Sequence, residues 1–137
     1  MIVDTNVMFD LMSSGEEFAA VSSRSFAIHA SARQPIINHI IFAEISPHFQ
    51  TPAHLRQMLD SLGIMVTPIT DEAAHRAGLA FAEYRRRGGK REALLPDFLI
   101  GAHAETLGVA VMTRDIQRFR SYFPTVELID PRTNGHG

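Results

Sequence analysis

The sequence contains no cysteine, and this absence excludes disulfide bonds, zinc–thiolate sites and thiol catalysis. It also contains no run of about 18 apolar residues, the length that a membrane-spanning helix requires. Strand-forming residues begin at Met1, which leaves no room for a signal segment ahead of the first element. We therefore expect a cytoplasmic protein that is not embedded in a membrane.

Neither sign of charge dominates the chain, whose formal net charge is -2. This balance excludes a protein that coats nucleic acid through an overall positive charge. Binding of a polyanion would depend on a local basic patch. The seven histidines lack a ligand spacing such as His-x-x-x-His, which favours packing or surface roles for them. With 137 residues and 45% hydrophobic content, one core is expected, formed by a single domain at 1–132 and followed by a flexible tail at 133–137.

Short strands alternate with helices along the whole chain. Strands are predicted at 1–4, 36–37, 64–66, 109–112 and 126–129. Helices are predicted at 5–12, 16–33, from 38 to Pro47, 52–62, 71–87, 96–107 and 114–121. Thr5 or Asn6 is the expected cap of the first helix, and Asn38 caps the third. The alternation predicts an α/β fold with a mainly parallel central sheet of four or five short strands, covered by helices on both faces.

Four acidic residues stand beside short apolar segments or at the start of a helix: Asp4, Glu44, Asp97 and Asp115. Open parallel sheets form their sites beyond the carboxyl ends of the strands, where Asp4 and Asp115 are expected. Asp97 follows Pro96 at a helix N-terminus, where the helix dipole favours an ionised carboxylate. Crowded carboxylates raise one another's pKa unless a cation lies between them. The pattern predicts a shared site for Mg²⁺ or Mn²⁺, which prefer oxygen ligands.

Each acid also has a structural interpretation when it is considered alone. Asp4 could cap the following helix, Asp97 could be a first-turn acid, and Asp115 could start the helix at 114. Glu44 is harder to explain in this way, because three isoleucines surround it, namely Ile40, Ile41 and Ile45. A purely structural explanation of all four acids would need four separate coincidences, so their joint occurrence favours a shared site.

A basic run precedes Asp97 and consists of Arg85, Arg86, Arg87, Lys90 and Arg91, interrupted by two glycines. These charges could follow a phosphate backbone and orient RNA without specifying its sequence. They could equally be a solvated helix end that satisfies the helix dipole. Arg114, together with Arg118 and Arg120, could extend the same basic rim.

Several segments together resemble the PIN-domain ribonucleases, specifically the VapC-type toxins of type II toxin–antitoxin systems. These segments are IVDTNV at 2–7, AE at 43–44, PDFLIGAHA at 96–104, MTRD at 112–115 with RF at 118–119, and YFPTVELI at 122–129. The resemblance covers essentially the whole chain. It implies a PIN-like three-layer α/β/α sandwich, a metal-dependent endoribonuclease activity, neutralisation by a cognate VapB-like antitoxin, and a homodimer.

The resemblance also assigns roles to the four acids. It implies that Asp4, Asp97 and Asp115 bind one or two Mg²⁺ or Mn²⁺ ions directly or through water, while Glu44 holds and activates the attacking water. A bound divalent ion suits phosphodiester hydrolysis, because it lowers the pKa of water and stabilises charge on phosphate oxygens. Asn6 would orient Asp4, and Thr113 would orient Asp115 or a bound water.

Two other functions remain open at this point. One is a PIN-like module that binds RNA or protein without cleaving it. The other is a phosphatase with Asp4 as nucleophile, which is disfavoured because the residue two positions later is Asn6 and no lysine lies between Asp4 and Lys90.

The helices at 5–12 and 16–33 carry more apolar side chains than one narrow stripe needs: Val7, Met8, Phe9, Leu11, Met12, Phe18, Val21 and Phe26. The alternatives are core packing and a groove for a partner, for which flexible methionine side chains are well suited. Under the second hypothesis the antitoxin's C-terminal segment lies along both helices, and one of its basic residues reaches the acidic site.

Overall fold

The structure is a computed structural model that describes residues 1–15, 17–89 and 94–133. In these residues five short strands form one sheet: β1 (Ile2–Val3), β2 (Ile36–Ile37), β3 (Met65–Val66), β4 (Val111–Met112) and β5 (Leu128–Ile129). The strand order is β3-β2-β1-β4-β5, and every neighbouring pair is parallel. The predicted α/β class and parallel sheet are thus confirmed.

The helices that connect these strands are α1 (Thr5–Met12), α2 (Ala19–Ala30), α3 (His39–Ile45), α4 (Pro52–Ser61), α5 (Asp71–Arg86), α6 (Leu95–Leu107) and α7 (Ile116–Arg120). The chain runs outward from β1 to β3 and then returns past β1 to β4 and β5. Right-handed crossovers therefore place α1 to α4 on one face of the sheet and α5 to α7 on the other. The result is the three-layer α/β/α arrangement that the sequence predicts.

Two helix starts differ from the predictions. The cap of α1 is Asp4, whose carboxylate accepts from the Thr5 backbone N–H, and neither Thr5 nor Asn6 is the cap. Helix α2 begins at Ala19 and ends at Ala30, whereas 16–33 was predicted; Glu16 lies outside the described residues. A loop with Gly15 at φ 83 precedes α2, and this left-handed backbone is incompatible with a helix. Asn38 caps α3 as predicted, because its side-chain oxygen accepts from Ile40 and Ile41.

The central strands of the sheet are buried between the helical layers and carry the core, whereas Met65 on the edge strand β3 is exposed. Ile2, Val3, Ile37, Val111 and Met112 have no exposed surface. Helix α6 packs closely on the segment before β5, because a Cβ added at Gly101 would lie 2.3 Å from the Phe123 ring. A side chain at this position would force the helix or the ring to shift, so glycine permits the close packing.

The register of the central strands determines where the site forms. Ile2 pairs with Val111 and Val3 with Met112, so the carboxyl ends of β1 and β4 lie side by side. Strand order reverses between these two strands, which is where open parallel sheets leave a crevice. No helix in the described part of the chain is long and apolar enough to span a membrane. Thr133 hydrogen-bonds to the Asp130 carbonyl, and the rest of the predicted tail, 134–137, lies outside the described residues.

Candidate active site

Asp4 lies directly after β1 and is 2% exposed. Its backbone N–H donates to the Met112 carbonyl at 2.9 Å, so the last ladder bond between β1 and β4 positions it. One carboxylate oxygen accepts from the Thr5 backbone at 2.9 Å, and the other accepts from the Thr113 hydroxyl at 2.8 Å. The side chain is therefore both a helix cap and a fixed member of the crevice.

Burial raises the pKa of the Asp4 carboxyl, and the nearby charge of Asp97 raises it further. The Thr113 hydroxyl, the Arg118 charge and the Thr5 backbone bond act in the opposite direction. Desolvation is the largest of these effects, because the ionised form loses its hydration in the crevice. An ionised Asp4 is consequently stabilised by any cation that approaches this edge of the sheet.

Asp97 occupies the third position of α6 and reaches the same crevice from the other helical layer. Its Oδ2 accepts from the Leu94 backbone N–H at 3.1 Å, which fixes the carboxylate against its own helix start. Its Oδ1 accepts from Arg118 Nη1 at 2.6 Å. Capping and site formation are thus combined in one side chain, as for Asp4.

Asp115 follows β4 and begins α7, with 49% of its side chain exposed. Its backbone N–H donates to the Thr113 hydroxyl at 2.9 Å. Its carboxylate oxygen lies 3.1 Å from Arg118 Nε. The three aspartates therefore share Arg118 as a common cationic neighbour.

Glu44 reaches the crevice from α3 and differs from the sequence interpretation in its burial. It is exposed, because Ile41 and Ile45 occupy the buried face of α3 and Glu44 points away from that face. The Thr5 hydroxyl donates to its Oε1 at 2.7 Å. Isoleucine spacing of four residues on one helix face is the signal that could have identified this orientation.

A cavity of about 240 Å³ brings these groups together. It is lined by Asp4, Thr5, Asn6, Phe9, Glu44, Asp97 and Arg118. Asp115 lies beside this cavity, beyond Arg118, and is not part of its lining. Three of the four predicted acids thus share one cavity, and the fourth is joined to them through an arginine.

Three carboxylates converge on a single cationic group, the guanidinium of Arg118. Carboxylate oxygens are the ligands that hard divalent cations prefer, so the chemistry of these residues fits such an ion. Within residues 1–15, 17–89 and 94–133, no three acidic or histidine side chains are close enough to form a ready metal site. The guanidinium of Arg118 lies within 3.5 Å of the carboxylates of Asp4, Asp97 and Asp115. Asp4, Asp97 and Asp115 would hold the ion once the arginine has moved.

Asn6 and Thr113 connect the strand ends behind the carboxylates. Asn6 Nδ2 donates to Asp4 Oδ2 at 3.3 Å, and its Oδ1 accepts from the Arg114 backbone at 3.1 Å. Thr113 donates its hydroxyl to Asp4, whereas the sequence analysis expected it to orient Asp115 or a water. It contacts Asp115 only through the backbone N–H. Both residues therefore act on Asp4 in this structure.

The predicted basic run is described only in part. Arg85, Arg86 and Arg87 are exposed at the end of α5, and Lys90 and Arg91 lie outside the described residues. Arg86 and Arg87 form ion pairs with Glu83, the second at 2.7 Å. Exposed pairs of this kind contribute about 0–1 kcal/mol, so a phosphate could replace Glu83 at little cost.

Arg114, also predicted to contact RNA, has two of its guanidinium nitrogens, Nε and Nη2, bonded to the protein. Its guanidinium donates twice to Asp10, at 2.9 and 3.2 Å, and lies 4.4 Å from the centroid of the Phe18 ring. The Ser22 hydroxyl donates to the same Asp10 carboxylate at 2.6 Å. A contact between Arg114 and RNA stays a prediction.

A larger groove of about 940 Å³ lies next to the acidic cavity and shares Phe9 with it. Its apolar lining includes Phe9, Leu11, Met12, Phe18, Phe49 and Met58, and we call it the apolar groove. Of the apolar residues that the sequence analysis named on these two helices, Val7, Met8 and Phe26 are buried in the core, so the alternative of core packing applies to these three. The sequence analysis did not identify the opposite wall, formed by Phe49 and the end of α4.

The PIN domain family profile matches residues 1–122. This chain belongs to the PIN domain family. The match confirms the resemblance seen in the sequence, and it includes all four acids of the site. No curated protein matches the chain in a sequence comparison.

Solved structures similar to this PIN domain share its fold across nearly the whole chain. A toxin–antitoxin complex from Klebsiella pneumoniae has a chain that is 22% identical, with a TM-score of 0.67 and coverage of 95% of this chain and 96% of that one. VapBC2 from Rickettsia felis, bound to a promoter DNA fragment, gives 16% identity, a TM-score of 0.71, and coverage of 93% and 95%. VapBC-1 from nontypeable Haemophilus influenzae gives 16% identity, a TM-score of 0.72, and coverage of 96% and 98%.

Proposed function

We propose that this PIN domain is a metal-dependent endoribonuclease toxin that a cognate VapB-like antitoxin neutralises. The observation that carries the proposal is the convergence of Asp4, Asp97 and Asp115 on one cationic group beside Glu44. Converging carboxylates from β1, α6 and the end of β4 are the donor set that a divalent ion requires for phosphodiester hydrolysis.

Each residue has a distinct role in the proposed reaction. Asp4, Asp97 and Asp115 hold one or two Mg²⁺ or Mn²⁺ ions, which would supply an activated water and stabilise charge on phosphate oxygens. Glu44 orients and deprotonates that water, and the Thr5 hydroxyl holds its carboxylate in place. Asn6 and Thr113 keep Asp4 in its position through direct hydrogen bonds.

The RNA backbone is proposed to approach along the exposed arginines Arg85, Arg86 and Arg87, with Lys90 and Arg91. In the sequence these residues lie at the end of α5 and between α5 and the start of α6, whose first turn carries Asp97. Because phosphate contacts position a substrate without reading its bases, the run would deliver different sequences to the site. The seven residues between Arg85 and Arg91 contain five positive charges, enough to bind a single strand locally in a chain of net charge -2.

The apolar groove is the proposed seat of the antitoxin's C-terminal segment. It offers aromatic and methionine side chains on both walls, a surface that adapts to an apolar partner. Phe9 lines both the groove and the acidic cavity, so a segment in the groove ends next to the carboxylates. A basic residue at that point would pair with the acids and compete with the metal. Homodimerisation is proposed from the family resemblance alone.

Hydrogen exchange on a co-expressed complex with the cognate antitoxin tests this docking site. Protection is expected on both walls of the groove, at residues 9–18 and at 48–62, while the exposed face of α5 keeps its free exchange rate. Equal exchange of both walls in the free protein and in the complex would exclude the groove as the docking site.

A second candidate is a PIN-like module that binds RNA or protein without cleaving it. One observation favours it, namely that Arg118 already compensates the carboxylates in place of a metal. The phosphatase alternative has no such support, and the sequence disfavours it because Asn6, not an acid, stands two positions after Asp4.

Analysis of product ends distinguishes these candidates. Purified protein is incubated with RNA and with DNA of the same sequence, in Mg²⁺, in Mn²⁺ and in EDTA. Attack by a metal-activated water leaves a phosphate and a hydroxyl at the cut, whereas attack by the ribose 2′-hydroxyl leaves a 2′,3′-cyclic phosphate. We expect RNA cleavage that requires metal and yields no cyclic phosphate. Cyclic ends, or undiminished cleavage in EDTA, would refute the metal mechanism, and RNA binding without cleavage would favour the second candidate.

A further inference from the structure

The guanidinium of Arg118 lies where the three aspartates meet. Its Nη1 donates to Asp97 at 2.6 Å, its Nη2 lies 3.5 Å from Asp4, and its Nε lies 3.1 Å from Asp115. The sequence analysis assigned this residue to an RNA-binding rim, and the structure places it among the acids instead. One side chain thus contacts every carboxylate that the metal would use.

The contacts of Arg118 are unequal in quality. The Asp97 bond is short, and the Asp4 contact stands at the limit of a hydrogen bond. Its Nε is buried and faces Asp115 without making a hydrogen bond in the described structure. Arg118 therefore occupies the position of a cation but makes only one short hydrogen bond to the three carboxylates.

The local structure allows the side chain to leave without unfolding of the site. Helix α7 has five residues and is anchored by Phe119, which is 1% exposed. Arg118 itself keeps 25% of its side chain exposed, so a path to solvent exists. The carboxylates are held independently of it, Asp4 by Thr5 and Thr113 and Asp97 by Leu94.

We propose that Arg118 is a built-in competitor for the divalent cation of this site. In the metal-free protein its guanidinium occupies the space between Asp4, Asp97 and Asp115, and it must rotate outward before these residues can hold an ion. The site is thereby kept closed to metal at low ion concentration and opens as the concentration rises. This inference rests on the proposed metal-dependent function and names a regulation of the same site.

Mn²⁺ binding in the absence of RNA provides the test, because it requires no catalysis. Free Mn²⁺ is quantified by electron paramagnetic resonance during titration of the wild type, Arg118→Gln and the matched control Arg120→Gln. Arg120 is an exposed arginine on the same helix. Removing the charge-assisted contacts of Arg118 is expected to tighten Mn²⁺ binding roughly tenfold or more, while the control binds as the wild type does.

A second readout is thermal stabilisation by Mn²⁺, measured by circular dichroism. Arg118→Gln should show a larger rise in Tm at a given Mn²⁺ concentration than the wild type, since a ligand stabilises in proportion to its saturation of the native site. Arg118→Lys keeps the charge but loses the planar guanidinium that contacts several carboxylates at once. Its affinity for Mn²⁺ should lie between the affinities of the wild type and of Arg118→Gln. If Arg118→Gln fails to fold, the lysine variant decides the question by the same comparison.

The outcomes separate this inference from the metal centre itself. Equal Mn²⁺ affinity of wild type and Arg118→Gln would overturn the competition and leave the metal site standing. Weaker binding by the variant would also overturn it, because Arg118 would then organise the carboxylates for the ion. Absence of Mn²⁺ binding in all three proteins would remove the metal centre, and with it the proposed function and this inference.

Discussion

The ion pair between Asp10 and Arg114 offers a quantitative test of how the loop after β4 is held. We consider Arg114→Gln, which removes the charge and the two-pronged contact. Asp10 has only 7% of its side chain exposed and would retain the Ser22 hydroxyl as its partner. Breaking a buried pair by removing one partner costs about 3–5 kcal/mol. Because Arg114 is 25% exposed to the apolar groove and Ser22 remains, we expect a loss of about 2–3 kcal/mol.

Urea denaturation followed by far-ultraviolet circular dichroism measures this loss, since the chain has no tryptophan to report by fluorescence. For a chain of this size, each kcal/mol corresponds to roughly 3–5 °C in Tm. Arg120→Gln is the matched control and should stay within about 0.5 kcal/mol of the wild type, as exposed substitutions usually do. If the free energies of unfolding of both variants agree within that margin, Arg114 has no structural role, and its predicted RNA contact becomes the better explanation of its presence.

Three further predictions concern other parts of the molecule. Burial raises the pKa of Asp4 above its unfolded value of 3.8. The metal-free wild type should therefore lose stability relative to Asp4→Asn as the pH rises from 3.8 through the folded pKa. Thermal melts in EDTA across pH measure this difference, and a gain in stability of the wild type relative to the variant would contradict it. Gly101→Ala should lose roughly 1–3 kcal/mol against the Phe123 ring, whereas Gly78→Ala, with no atom within 4 Å, should gain up to about 1 kcal/mol in urea denaturation. Replacing Arg86, Arg87 and Lys90 by alanine should reduce the slope of log K against log salt concentration for RNA binding by roughly 0.7 per lost phosphate contact. Filter binding across a salt series measures the slope, with the exposed Arg24→Ala as control. Equal slopes for the triple variant and the control would refute the prediction.

Local patterns predicted the fold and the location of the acids, because both depend on neighbouring residues. Short apolar runs followed by a polar residue indicate the carboxyl ends of strands, and parallel strands bring such ends together. Asp4 and Asp115 were identified in this way, and Asp97 was identified by its place after Pro96 at a helix start. The additional role of Asp4 and Asp97 as caps of α1 and α6 is part of the same geometry, so the structural and the site interpretations of each residue both apply.

The position of Arg118 could not be predicted from the sequence. Its partners Asp4 and Asp97 are 114 and 21 residues away, and no local spacing distinguishes an arginine that faces carboxylates from one that faces RNA. The second wall of the apolar groove was missed for the same reason, since Phe49 and Met58 line one groove with Phe9 although 40 or more residues separate them in the sequence. Long-range contacts of single side chains depend on tertiary packing, which a residue pattern does not contain.

The measurement that tests the central claim most directly is RNA cleavage by Asp97→Asn beside Glu105→Gln, at saturating Mg²⁺ or Mn²⁺. Asparagine can still accept from the Leu94 backbone and keep the start of α6, so circular dichroism and Tm should show a folded protein. Glu105 lies on the same helix but pairs with Arg76 away from the cavity, at 2.8 Å. We expect loss of cleavage by about a hundredfold or more in Asp97→Asn and none in Glu105→Gln. Cleavage at the wild-type rate by folded Asp97→Asn would contradict the account.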